Sequence, residues 1–233
     1  MRFLKVLTIL FFYSISVSAQ VEYDMRLAAQ SISAITNGGS NITGSWIPPK
    51  PKNNNYIKGS QYLFDSWAGQ YIIVSNNGAK SQILNLNYNI TSKKIESYIG
   101  KDSVFQFDLD QFDFILKFDK KYKVYKNHQL EGLFLELYNE KNIILYKETL
   151  ITIQEGVMNP LTQELISEGK YVKKAIYYLY NNGKYDKIKL GKSSILKSLN
   201  DKEKLIKAFV SENKLSYTGE KDVVKILTYY NSI

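Results

Sequence analysis

The chain contains no cysteine, and this absence excludes more than any residue it does contain. Disulfides, thiol nucleophiles, iron–sulfur ligation and the common structural zinc sites all need that side chain. Arginine is almost as scarce. Arg2 and Arg26 are the only two, so the formal charge of +9 rests on lysine. Nucleic-acid readers use arginine for bidentate contacts to bases and phosphates, so no nucleic-acid partner is expected. His128 is the only histidine and sits in a polar stretch. No serine nucleophile motif accompanies it, so it reads as a loop residue rather than a general base. Only four prolines occur, and three of them, Pro48, Pro49 and Pro51, fall together. Beyond the first residues, no apolar run reaches the ~20 residues that a helix needs to cross a bilayer.

What is present begins at the N-terminus. Arg2 and Lys5 precede a nearly unbroken apolar run from Phe3 to Ile15, and Val17-Ser18-Ala19 places small residues at the −3 and −1 positions. That order is expected of a secretory signal over residues 1–19, cleaved after Ala19. Loss of Arg2 and Lys5 would leave a charge of +7. An exported, lysine-rich chain is expected in the periplasm or at the outer membrane. It could meet an anionic lipid, an acidic polysaccharide or an acidic protein there. Without cysteine it must hold its fold by packing and sheet hydrogen bonds alone.

Residues 20–58 read as an extended, flexible arm. Met25 to Ile35 could form a short amphipathic helix, and Trp46 to Lys52 contains the proline run, which favours an extended spacer. From residue 59 the pattern turns to β. The runs 71–74 and 83–88 flank Asn76-Asn77-Gly78, a strong hairpin signal because both turn residues accept positive φ. Leu84, Leu86 and Tyr88 alternate with Asn85 and Asn87, which predicts one buried and one wetted face. Runs at 95–99, 104–108, 112–118, 122–125, 133–138 and 143–153 continue the series at regular spacing. Residues 154–170, with Gly156, Pro160 and Gly169, read as a long loop. A second hairpin follows around Asn181-Asn182-Gly183. At the C-terminus, Asn200 and Glu203 have capping-box spacing, Leu205, Ala208 and Phe209 repeat at helical intervals, and Val223, Ile226, Leu227 and Tyr230 line a second helix. The expected fold is α+β: a mainly antiparallel barrel or sandwich-like meander over 59–192 and two short helices within a tail over 193–233.

The segment Gly59-Ser60-Gln61-Tyr62-Leu63-Phe64-Asp65-Ser66-Trp67 is similar to a segment of uncharacterised, signal-peptide-bearing envelope proteins of Gram-negative bacteria. Leu86 to Ile90, Tyr177 to Tyr180 and, in the tail, Asp201 to Val210, Glu212 to Leu215 and Leu227 to Asn231 carry the same likeness. The resemblance covers roughly 59–233. It implies a secreted β-rich domain with a helical C-terminus, and brings no catalytic residue.

Asp108, Asp110, Asp113 and Asp119 form the densest acidic group, and the first three offer a weak calcium candidate; Lys117, Lys120 and Lys121 nearby and the missing calcium-loop glycine count against it. Glu96, Glu131, Glu136 and Asp108 could supply the paired carboxylates of a hydrolase, but no spacing singles out two. No cofactor motif occurs. The expected function is therefore non-enzymatic: an envelope protein that binds or assists another envelope component as an accessory subunit. Trp46, Pro48, Pro49, Pro51, Tyr178 and Tyr180 are the expected partner-binding residues. The alternatives are a lipid- or glycan-binding β domain whose tyrosines stack on sugars, and a carboxylate-based hydrolase.

Overall fold

A computed structural model describes residues 25–38, 42–47, 57–100, 103–126, 129–181 and 183–233. Residues 1–19, expected to be a signal segment, the proline run and His128 lie outside them. The fold is α+β, as expected, built from antiparallel sheets with helices at the C-terminal end and no closed barrel among the described residues. It divides into two compact units. One takes the N-terminal residues and Tyr62–Phe118; the other takes Tyr56–Gln61 and Asp119–Ile233. The division falls inside the stretch 59–192 that reads as one β domain.

In the first unit, a helix over 25–37 (α1) buries Ala28, Ile32 and Ile35 at i, i+4 and i+7. Strands β1 (Gly44–Ile47), β5 (Leu86–Asn89), β6 (Lys94–Tyr98) and β7 (Val104–Phe107) form a sheet in the order β1-β7-β6-β5. Residues 25–37 and 44–47 are thus built into the fold, not strung out as an arm. The reason is non-local: Trp46 pairs with Phe105, some sixty residues on, and its ring meets that phenyl edge-on at 5.0 Å. Gly44 is needed at this junction, because a Cβ would run into the Gln106 carbonyl oxygen and the Phe105 ring.

β3 (Gln70–Ser75) and β4 (Lys80–Leu84) make the first hairpin, with Gly78 at φ +82, and β3 also pairs with β8 (Phe112–Lys117). The apolar run from Ile83 to Tyr88 is not one strand. Asn85 sits at φ 52 and redirects the chain from β4 into β5, in the other sheet. Asparagine tolerates this left-handed conformation better than most residues. The expected wet face of β5 is also absent, since Asn87 and Asn89 are as buried as Leu86. Residues 62–64 lie against them. Asn87 accepts from the Phe64 N–H at 3.0 Å and donates to the Phe64 carbonyl at 2.9 Å. Buried Glu96 accepts from Tyr62 Oη (2.8 Å), Gln106 Nε2 (3.1 Å) and Asn89 Nδ2 (3.4 Å).

The second unit is a sheet of order β15-β14-β11-β10-β9, from β9 (Lys120–Lys126), β10 (Glu131–Glu140), β11 (Ile143–Gln154), β14 (Gly169–Asn181) and β15 (Lys184–Ile188). β2 (Ile57–Lys58) adds a short parallel pairing to β14. The stretch expected to be a long loop holds the end of β11, a small hairpin of β12 (Val157–Met158) and β13 (Leu165–Ser167), and the start of β14.

Three helices close the chain, one more than expected: α2 (Lys192–Ser198), α3 (Glu203–Glu212) and α4 (Glu220–Ser232). The capping box does not form. Asn200 opens a 3-10 turn, and α3 starts after Lys202 with no side-chain cap. α3 buries Ile206 and Val210 and leaves Leu205 51% exposed, so its apolar stripe is rotated from the expected one. It ends in a Schellman arrangement. Leu215 N–H reaches the Val210 carbonyl, Lys214 N–H reaches Ser211, and Lys214 takes φ 51.

The buried asparagine is the most testable feature of the first unit. Asn87→Ala removes both partners of the Phe64 backbone at a dry site, so it should cost about 2 kcal/mol or more of unfolding free energy. Urea denaturation checks this; an unchanged midpoint would contradict the assigned bonding.

Candidate interaction surfaces

The period of two along a strand gives the second unit's sheet two distinct faces. On one face Leu145, Leu179, Ile143 and Tyr138 pack with Ile195, Ile206, Val223, Ile226 and Leu227 from the helices. A polar clamp joins the layers. Lys147 Nζ meets Glu220 Oε1 at 2.6 Å, and Tyr177 Oη donates to the same oxygen at 2.8 Å. Burial opposes ionisation of Glu220, but these two bonds outweigh it and hold its carboxyl below the usual range.

The opposite face carries an aromatic cluster. Phe134, Tyr146 and Leu130 are buried, with Tyr125, Tyr178, Tyr185 and Ile144 half-buried around them. Rings meet edge to face: Tyr125 with Tyr146 at 5.4 Å and Phe134 with Tyr178 at 5.7 Å. Tyr180 lies 4.8 Å from Tyr185. The hydroxyls are largely spent within the protein. Tyr125 Oη bonds Tyr146 Oη at 2.8 Å, and Tyr178 Oη donates to Glu148 Oε2 at 3.0 Å. Tyr178 and Tyr180 therefore do share a face, as expected, but Tyr178 is a member of a packed cluster rather than a bare platform. Tyr125, Tyr146 and Tyr185 are cluster members that the sequence alone does not single out. The signal was register: Tyr125 lies opposite Gly132, Tyr146 opposite Tyr178, and Tyr185 opposite Tyr180.

A third surface comes from strand length. β11 and β14 pair over twelve positions, from Ile143↔Asn181 to Gln154↔Lys170. β10 reaches only as far as Phe134↔Glu148. From Thr149 onward β11 has no second strand partner among the described residues. The two strands run on as a ribbon tipped by the β12–β13 hairpin. Of the eleven large hydrophobic residues that are exposed among the described residues, six lie on this ribbon and tip: Ile153, Val157, Met158, Leu161, Ile166 and Val172. Leu161 is 91% exposed.

The other sequence candidates are dispersed. Trp46 is on edge strand β1 and 55% exposed; Pro48, Pro49 and Pro51 lie outside the described residues, as does His128. Asp108, Asp110 and Asp113 do not assemble a cation site. Asp108 Oδ2 accepts from Thr43 Oγ1 at 2.6 Å, and no group of three potential ligands gathers among the described residues. Both Glu96 oxygens are engaged as described above. Glu136 pairs with Lys121 at 3.3 Å and accepts from Asn139 at 3.0 Å. A cavity of ≈ 560 Å³ lies between α3 and α4, lined by Phe209, Leu215, Val224, Thr228 and Tyr229, away from the tyrosine face. The chain matches no family model, no curated protein and no solved structure.

The tyrosines predict a specific alkaline response. Burial, then in most cases a nearby carboxylate, pushes Tyr122, Tyr146, Tyr177 and Tyr178 up to about 12 from the ordinary 10.0. The folded state keeps protons that the unfolded chain releases. Their contribution to stability is therefore full below pH 10.0 and is lost as the pH rises through about 12. A tyrosinate absorbance titration should show a delayed group that ionises together with unfolding. Ionisation of every tyrosine near its ordinary value, with the fold intact, would contradict the buried cluster.

Proposed function

We propose that the protein is an exported, non-enzymatic component of the cell envelope that binds a protein partner through the β11–β14 ribbon. Membership in the signal-peptide-bearing envelope group belongs to the same proposal, as does a periplasmic or outer-membrane-associated location. The concentration of exposed apolar side chains on the ribbon and its tip carries the reading. Soluble chains seldom leave such residues together in water without an interaction to cover them. Among the described residues the ribbon also has an unpaired edge along β11 beyond Thr149, and such edges accept an added strand from another chain. The aromatic cluster is the weaker candidate surface, because its hydroxyls bond to one another and to Glu148. Glycan stacking would need them turned outward.

A photoreactive amino acid placed at Leu161 in intact cells tests the reading. One discrete protein adduct is expected at Leu161, lost when Ile153→Ser and Ile166→Ser are added. No such adduct is expected from Phe118, which is equally open to solvent but lies off the ribbon. An adduct of equal yield at Phe118, or none at Leu161, contradicts the ribbon. Terminal sequencing of the mature protein should begin at Gln20; an intact Met1 in the cytosolic fraction contradicts export.

A further inference from the structure

We infer that the open edge of β11 pairs with the same edge of a second copy, so that two ribbons join into one continuous antiparallel sheet. This rests on the ribbon reading above and deepens it: the added strand is the chain's own residues 149–154.

The ladder places the edge. β10 leaves β11 after Phe134↔Glu148, while β14 stays on the opposite side of β11 as far as Gln154↔Lys170. The backbone groups of residues 149–154 that turn away from β14 therefore have no strand partner among the described residues. Thr152, Ile153 and Gln154 are exposed. Water can satisfy such groups, so an open edge alone does not call for a second chain. Composition does. An edge that must stay single is ordinarily guarded by charge, proline or a bulge. β15, the outer strand of the same sheet, carries Lys184, Asp186 and Lys187. Thr149-Leu150-Ile151-Thr152-Ile153-Gln154 has no charge, no proline and no glycine. Its register with β14 runs without a shift.

Self-complementarity selects a second copy as the occupant. A two-fold axis through Thr152, normal to the sheet, sets Thr152 opposite itself, Ile151 opposite Ile153 and Leu150 opposite Gln154. Opposed residues then share a face, as an antiparallel pair requires. Thr–Thr pairs are favourable, β-branched side chains pack well across strands, and no like charges are opposed. Lys170, Lys173 and Lys174, which would resist self-association, lie on β14, the strand away from the edge. In the joined sheet the two copies of β14 stand three strand spacings apart, about 14 Å. That exceeds the screening length of about 8 Å at physiological salt. Residues 150–154 stop short of Glu148, where β10 pairs, and leave the tip from Val157 to Ile166 outside the paired segment. Five residues a side span about 17 Å, well short of a standard interface, so the dimer is weak and concentration-dependent.

Sedimentation velocity over a concentration series should show a reversible monomer–dimer equilibrium. Thr152→Lys and Thr152→Glu, taken singly, oppose like charges at the axis and should each weaken the dimer about tenfold or more. An equimolar mixture of the two should restore it, because the opposed charges are then complementary. Thr162→Lys, on the exposed tip, should leave it unchanged. A second readout avoids charged variants: in this cysteine-free chain, Thr152→Cys should be joined to another copy by a short bis-maleimide, and Thr162→Cys should not. A monomer at every concentration, equal weakening by Thr162→Lys, no recovery on mixing, or no linkage through Thr152→Cys overturns the self-pairing. The ribbon reading fails separately. A discrete adduct of another protein at Leu161, without self-association, leaves that reading standing and sinks only the self-pairing.

Discussion

The second unit depends on one pairing, the antiparallel register of β11 with β14. Because side chains alternate, this register decides at once which residues meet the helices and which form the aromatic cluster. Lys147 and Leu145 face α4 with Tyr177 and Leu179, while Tyr146 and Glu148 face the other way with Tyr178. A slip of one residue would send Tyr146 into the helical core and lift Leu145 onto the tyrosine face. The same ladder continues past β10 and carries the apolar tip outward. Core, cluster and ribbon are three consequences of one set of backbone bonds.

The two polar features that hold each unit internally work alike. In the first unit Asn87 closes on the Phe64 backbone, and Glu96 takes three donors. In the second, Glu220 joins Lys147 and Tyr177 between sheet and helix. Buried and half-buried polar groups of this kind are tolerated because their bonds are made, and they disfavour alternative packings in which the bonds would be lost. In a chain without disulfides, these bonds and the apolar cores do the fixing.

Local signals in the sequence reported local structure well. The hairpin at Asn77-Gly78, the short strands that follow it and the Val223–Leu227 face of α4 were all legible from turn chemistry and periodicity. What depended on distant partners was not. Asn87 looks solvent-facing by alternation, yet residues 62–64 cover it. Trp46 looks like part of an arm, yet pairs with Phe105. The capping box at Asn200 lost to a 3-10 turn that lets Leu199 reach the core. The polar, glycine-bearing stretch 154–170 concealed the ribbon tip, because a solvated two-stranded hairpin shows little apolar alternation. Tyr178 and Tyr180 were identifiable as neighbours on one face. Their joining with Tyr185, Tyr146 and Tyr125 required the register of four other strand pairs.

The absence of cysteine makes the central register directly measurable. Thr149 and Ala175 lie opposite each other in the ladder, past the last pairing with β10. In the Thr149→Cys, Ala175→Cys variant, mild oxidation should form an intramolecular disulfide rapidly and almost completely. In Thr149→Cys, Ile176→Cys, where the side chains point to opposite faces, it should not. Efficient closure of the second pair, or failure of the first, would contradict the register from which the helical core, the tyrosine cluster and the ribbon all follow.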